Sequence, residues 1–315
     1  MRRRVLVTGG AGFIGSHMTD RLIDLGYKVI VLDNLSTGFI ENVNEKAVFI
    51  KGDVRNKEDV EAAFDYGPDI IFHIAGQAST IKSFDDPETD LAVNVNGTIN
   101  VVEECLARKV TRLHYASSMT VYGDPEVLPS LENVVCKPIS YYGITKFAAE
   151  RYVHATGERI DLDFPFNVTS FRMFNVYGSR QSLSNPYQGV VTIFIANILN
   201  KEPITIFGDG EQSRDFVHID DTVDVWITSI DNEKTFGEVF NIGTSTRITV
   251  NSLVDIILEA FGHSRKDYEV IYDRARPGDQ RHMQADITKA KKLIPWNPKV
   301  NFEEGMKETI QWAIG

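Results

Sequence analysis

Tyr142-Gly143-Ile144-Thr145-Lys146 is the stretch with the plainest chemistry: on a helix, positions i and i+4 share a face, so a phenol and an ammonium would point the same way. A cation beside a phenol favours phenolate and lowers its pKa from about 10 toward a range useful for taking a proton. Such a pair is common by chance. Its weight comes from Ser117-Ser118 at the end of the preceding apolar run, where the Ser118 hydroxyl could hold a substrate oxygen within reach of Tyr142. A second constellation is Gly9-Gly10-Ala11-Gly12-Phe13-Ile14-Gly15, which follows a strand-like run and opens a helix-like one. Glycines there let backbone N–H groups at a helix N-terminus approach a pyrophosphate, so Gly9, Gly12, Phe13, Ile14 and Gly15 are expected to cradle a dinucleotide. An apolar run ends in Asp33, eighteen residues past Gly15, the spacing of an acid that accepts the adenosine-ribose hydroxyls and repels a 2′-phosphate. Asp33 is followed by Asn34-Leu35-Ser36-Thr37 with no Arg or Lys, which favours NAD over NADP. Asp53-Val54 is placed to meet the adenine edge.

Holding these groups together requires strands that end where the loops begin. Short β-branched runs at Val5–Val7, Val29–Leu32, Ala47–Ile50, Ile70–His73, Leu113–Ala116 and Val168–Phe171 alternate with helix-like segments near Phe13–Leu25, Lys57–Phe64, Leu91–Ala107 and Tyr142–Ala155. That βαβα pattern predicts an α/β fold with a doubly wound parallel sheet buried on both faces. After about Asn175 the chain becomes rich in Gly, Pro, Asn and Ser, with shorter elements around Val191–Leu199, Ile204–Phe207, Val250–Phe261 and Phe302–Ala313. This predicts a smaller C-terminal unit over the carboxyl edge of the sheet, where ligands bind in such folds. Asp215–Ile230 has the pattern to return to the first unit, so the expected division is discontinuous: 1–175 and 215–242 for the cofactor, 176–214 and 243–315 for the substrate.

The 315 residues, 43% apolar and with a net charge of −11, suffice for sizeable cores and argue against nucleic acid or an anionic membrane as partner. An anionic ligand would have to meet locally placed arginines. The basic start Met1-Arg2-Arg3-Arg4 precedes too few apolar residues for a signal-peptide core, and no apolar stretch has the length of a membrane span. Two cysteines, Cys105 and Cys136, make no metal or disulfide pattern, and the seven histidines are at least nineteen residues apart. A cytoplasmic location and no metal are expected. Asp85-Asp86 and Asp220-Asp221 read as charges at helix N-termini rather than as a catalytic pair.

GGAGFIG at 9–15, SSMTVYG at 117–123, YYGITK at 141–146 and RMFNVYG at 172–178 resemble the extended short-chain dehydrogenase/reductase family. Within it, FGDGEQSRDFVHIDD at 207–221 and RPGDQRH at 276–282 resemble the nucleotide-sugar epimerases and dehydratases. The resemblance spans the chain and implies a Rossmann-type NAD domain and a C-terminal domain that grips a UDP-sugar. By position it makes Tyr142 the base at the sugar 4-hydroxyl, Lys146 the residue that binds the nicotinamide ribose and tunes Tyr142, and Ser118 a hydrogen-bond partner of the same sugar oxygen. It implies diphosphate contacts for Arg214 and Arg276, a substrate amide at Asn175 and a ribose or sugar contact at Asp279. Thr205 and Phe207 would flank the base, with Val191 and Gln212 also lining the substrate site. Planar guanidinium groups suit such pairing with phosphate.

The family's dehydratases carry an Asp-Glu pair after the catalytic hydroxyl, and its decarboxylases a glutamate near the same strand end. Here those positions hold Met119 and Thr120, neither of which shuttles a proton in elimination. The expected reaction is 4-epimerisation of UDP-glucose and UDP-galactose through a transient 4-keto sugar. UDP-N-acetylglucosamine or UDP-glucuronate epimerisation, a dehydratase or decarboxylase, and a dinucleotide sensor follow in that order. By the same resemblance Met283, four residues past Asp279, would wall the sugar pocket near the 2-substituent, and a flexible methionine there is expected to admit N-acetyl sugars weakly. The resemblance implies a homodimer paired through the helices near Leu91–Ala107 and Tyr142–Ala155, whose apolar residues fall on more than one face.

Overall fold

The computed structural model describes residues 3–185, 187 and 189–315; Met1 and Arg2, counted with the first unit above, lie outside the described residues. The β-branched runs become strands because alternate side chains are claimed by two different apolar layers. In β1 (Arg4–Thr8), Val5 and Val7 join one core and Leu6 the other; in β2 (Lys28–Asp33), Val29 and Val31 oppose Ile30 and Leu32 in the same way. With β3 (Val48–Lys51), β4 (Ile70–His73), β5 (Arg112–Ser118), β6 (Asn167–Met173) and β7 (Glu238–Ile242) they form a seven-stranded sheet of order β7-β6-β5-β4-β1-β2-β3. Every pairing is parallel. The fold is Rossmann-like, and the strand order reverses between β1 and β4, which opens a crevice at the carboxyl ends of those strands.

On one face α1 (Phe13–Asp24) contributes Met18 and Leu22; on the other α2 (Lys57–Phe64), α3 (Gly97–Ala107) and α4 (Tyr141–Gly157) contribute Val60, Val101, Ala149 and Val153. The single helix expected over Leu91–Ala107 is broken. Pro87–Leu91 is a short helix, Ala92–Asn96 a wide π-type turn, and regular helix resumes at Gly97. Such turns occur where a side chain is wanted for other contacts. Here Asn94 points its amide at Gln77, Asp90 and Thr145.

A third core lies in the C-terminal part. Strand Ile204–Phe207 pairs in parallel with Val270–Asp273, and Ile204 and Ile206 pack with α5 (Val190–Leu199), α7 (Val250–Ala260) and α8 (Phe302–Ile314). Residues 215–230 return to the first core: Phe216–His218 pairs with Asn175–Tyr177 in a separate two-stranded sheet, and α6 (Ile219–Thr228) sends Val223, Val225 and Trp226 into that core. The stretch 283–296, expected with the substrate unit, also joins that first core through Met283, Ala285, Ile287, Ile294 and Trp296. It is tied there by a bridge between Ser130 and Ala285 and by the Trp296 indole donating to Asp221 O at 2.9 Å. Met283, Ala285 and Ile287 alternate as in a strand, but that spacing does not say which core they enter. Among the described residues no helix is long and apolar enough to cross a membrane, and no cluster of His, Cys, Asp or Glu could hold a metal ion.

Candidate active site

At the end of β1 the chain turns through Gly9, whose φ of +73° is open to glycine at little cost. Gly15 is required by contact: a Cβ there would lie 2.1 Å from Gly9 O. α1 then starts at Gly12 with no side-chain cap, so its first N–H groups remain available to an anion. A side chain at Gly12 would meet only Gly9 O, at 3.2 Å, and would project into a cavity that this residue lines. Asp33 ends β2 nearly buried; its carboxylate accepts from Ala11 N at 3.0 Å and Leu35 N at 2.8 Å. The glycine loop, the uncapped helix start and this acid suit a dinucleotide pyrophosphate and ribose. Asn34 donates to Asp53 at 2.7 Å, and Asp53 also binds Arg55 through both oxygens. The Arg55 hydrogen bond, more than any other cause, holds the Asp53 carboxyl down at about 2.

That cavity, of about 710 Å³, brings the motifs together. Gly9, Gly12, Phe13, Ile14, Gly15, Asp33, Asn34, Asp53 and Val54 line it from the β1–β3 side. Ser118, Tyr142 and Lys146 lie along it, and Asn175, Thr205, Phe207, Gln212, Arg214, Arg276 and Asp279 line it from the C-terminal part. Ser118 ends β5, and its Oγ accepts from Thr120 Oγ1 at 2.9 Å and Thr120 N at 3.2 Å, which leaves its own proton to favour the charged form of the Tyr142 phenol. α4 begins at Ser140, which caps Gly143 N at 3.1 Å, and this start presents Tyr142 and Lys146 one turn apart.

The electrostatics differ from the expected lysine effect. Burial pushes the Tyr142 phenol up to about 12, with the Ser118 hydrogen bond working against it. Burial likewise pushes Lys146 down to about 7, while Asp90 and Glu150 support its charge. Removal from water opposes both charged forms, so an i, i+4 spacing alone does not yield phenolate. The lysine ammonium instead lies over the Tyr115 ring, 4.5 Å from its centroid.

On the substrate side Arg214 is nearly buried, donates to Ser213 O at 2.9 Å and pairs with Asp279. Arg276 stacks on Phe207 at 3.5 Å from the ring centroid. Among the described residues Asn175 Oδ1 and Gln212 Oε1 are buried without a partner, as is Gln181 Oε1, on a cavity residue the sequence reading missed. Buried amide oxygens left this way call for a ligand or water. Two expectations fail. Val191 does not line the cavity; it is buried in the third core, and Val190, Ile193 and Phe194 line the cavity instead because helical spacing puts them on a common face of α5. Met283 is fully buried in the first core, with its N–H donating to Ser213 O at 3.0 Å, and does not reach the cavity surface. The RPGD segment is pinned by Gln280 donating to Gly123 O and Arg281 pairing with Asp209, after which the chain dives inward. Asp86 caps Thr89 N at 3.0 Å, and Asp220 and Asp221 stand in the first turn of α6 as read, where Asp221 also accepts from Lys299 N and Val300 N at 2.9 and 3.0 Å.

Residues 5–243 match the model of the NAD dependent epimerase/dehydratase family. The chain is 35% identical to a UDP-glucose 4-epimerase of Mycolicibacterium smegmatis over 98% of each protein. Among solved structures it is similar to a Thermotoga maritima UDP-glucose 4-epimerase with UDP-glucose, at 39% identity and TM-score 0.93 over 99% of this chain and 98% of that one. It is also similar to a UDP-N-acetylglucosamine 4-epimerase from Methanobrevibacter ruminantium M1, at 35% identity and TM-score 0.90 over 100% and 99%.

Proposed function

The chain belongs to the NAD-dependent epimerase/dehydratase family and is an NAD-dependent epimerase, and from that premise we propose that it interconverts UDP-glucose and UDP-galactose by inverting the sugar C4. In this reading Tyr142 Oη takes the proton of the 4-hydroxyl and returns it, while Ser118 Oγ, held by Thr120, fixes the same oxygen. Lys146 and Asp33 anchor the two riboses of NAD, and the N–H groups at the start of α1 take its pyrophosphate. Bound NAD supplies the acceptor, and afterwards the donor, of the C4 hydride. Arg214 and Arg276 meet the substrate diphosphate, Asn175 and Gln212 offer their unpartnered oxygens to donors on the nucleotide sugar, and Phe207 flanks the base. The sugar rotates between the two hydride transfers on these anchors.

The observation that carries the reading is where the acids are. Among the described residues lining the cavity, the carboxylates are Asp33, Asp53 and Asp279; two lie on the cofactor side and the third is paired with Arg214. None stands beside Ser118 and Tyr142, so elimination or decarboxylation lacks its second acid or base. The stripe Tyr141, Ile144, Ala148 and Tyr152, on the outward side of α4, supports a homodimer, and two free thiols accord with a cytoplasmic enzyme of galactose interconversion. The test is to incubate the purified protein, without added NAD, with UDP-glucose, UDP-galactose, their N-acetyl forms and UDP-glucuronate, and to separate the products. Interconversion of the first two is expected. Turnover of the N-acetyl pair alone would reassign the substrate, and a 6-deoxy-4-keto sugar or a pentose product would overturn the reaction type.

A further inference from the structure

Asp90, in the short helix Pro87–Leu91, is fully buried and, among the described residues, has no lysine or arginine within ion-pair distance. Its Oδ1 accepts from Gln77 Nε2 at 2.8 Å and Asn94 Nδ2 at 3.0 Å, and its Oδ2 accepts from Thr145 Oγ1 at 2.6 Å. Gln77 lies on the cavity loop after β4, Asn94 in the wide turn that breaks the expected helix, and Thr145 immediately before Lys146 on α4. One carboxylate therefore ties together three elements that converge on the Tyr142/Lys146 pair. A carboxylate buried this way is costly unless a charge nearby answers it.

The cation that acts on it is the Lys146 ammonium, which is nearly buried, forms no ion pair among the described residues, and lies with the Asp90 partner Asn94 beside Gly76. The groups that act on that ammonium are Glu150 of its own helix, the Tyr115 ring of β5, His73 of β4, and Asp90. Glu150 is already held by the Arg172 guanidinium through both oxygens, at 2.6 and 3.0 Å. His73 sits between the hydroxyls of Thr8 and Thr98, and burial keeps it neutral; burial also keeps the Tyr115 phenol protonated. Asp90 is the negative charge left for the lysine.

We propose that Asp90 is the positioning residue and counter-charge of Lys146, holding Thr145, Asn94 and Gln77 in register and keeping the lysine protonated while Tyr142 exchanges its proton. The proposal rests on the Tyr142/Lys146 reading and is independent of which sugar is bound. Burial lowers Lys146 to about 7 and raises Asp90, and each group opposes the other's shift. Without the negative charge the lysine loses its proton at lower pH, and the alkaline limb of kcat/KM moves down with it.

The test uses the holoenzyme labelled with 13C at the lysine Cε, with the Lys146 resonance assigned through Lys146→Arg. In Asp90→Asn the Lys146 midpoint is expected to fall by about one pH unit, with a matching fall in the alkaline limb; Asp90→Glu should restore most of both. Equal midpoints in native and Asp90→Asn holoenzyme would overturn the proposal, whatever the sugar specificity proves to be. Should Asp90→Asn fail to fold, the native protein decides with 13C at the aspartate carboxyl: Asp90 ionised at pH 7.5 supports the counter-charge, and Asp90 protonated there refutes it.

Discussion

Tyr142 and Ser118 line the same cavity as the glycine loop, so replacing the phenol removes a proton acceptor while leaving the dinucleotide loop intact. Tyr142→Phe should keep its bound NAD and lose about 10²–10⁴-fold in turnover, the usual contribution of a general acid–base group; a variant that epimerises at the native rate would refute the role. Met283 makes the opposite case. Its position after RPGD suggested a pocket wall, but it is sealed in the first core with its N–H on Ser213 O. Met283→Ala should therefore act on stability, costing about 2–5 kcal/mol in urea unfolding, as buried methionine truncations do. The ratio of N-acetyl to plain UDP-sugar turnover should stay as it is; a changed ratio at unchanged stability would return Met283 to the pocket.

The elements matter through where they start and how they are tied down. α4 starts on its Ser140 cap and is secured from beneath by Glu150 on Arg172, whose guanidinium also reaches Tyr122 at 3.0 Å. α1 is built differently, with glycine at its cap and Gly15 packed on the turn that precedes it. A methyl at Gly15 would lie 2.1 Å from Gly9 O, 2.7 Å from Gly9 C and 2.8 Å from Gly10 Cα, all backbone atoms that must move together. Gly15→Ala should weaken NAD binding by at least about tenfold, equivalent to about 1.4 kcal/mol, read by calorimetric titration of protein stripped of nucleotide. Native affinity in this variant would mean that the loop does not set the pyrophosphate site.

At the scale of the molecule, the exposed side of α4 bears Tyr141, Ile144 and Tyr152, whereas the outward positions of α3 include Glu103 and the flanking Asn96. The dimer expected from both helices would thus draw its apolar contact mainly from α4. Sedimentation at micromolar concentration should show a dimer, and Ile144→Glu should shift it to monomer without loss of the folded signal; a native monomer would count against the interface. The sheet, the glycine loop, Asp33 and the Tyr142/Lys146 pair were legible in the sequence because each is written in local spacing: period 2 in the strands, i to i+4 on a helix, glycine where a turn requires it. The wide turn at Ala92–Asn96 was not, since it exists to aim Asn94 at partners seventeen and fifty-one residues away. Nor could spacing show that Met283 and Val191 turn inward, or that Asp90 lies against Thr145, because which side of a segment is buried depends on what packs over it. The shifts of Tyr142 and Lys146 belong to the same class: sequence determines which groups are neighbours along the helix, and only the surrounding layers decide how much water each keeps and hence which charged form survives.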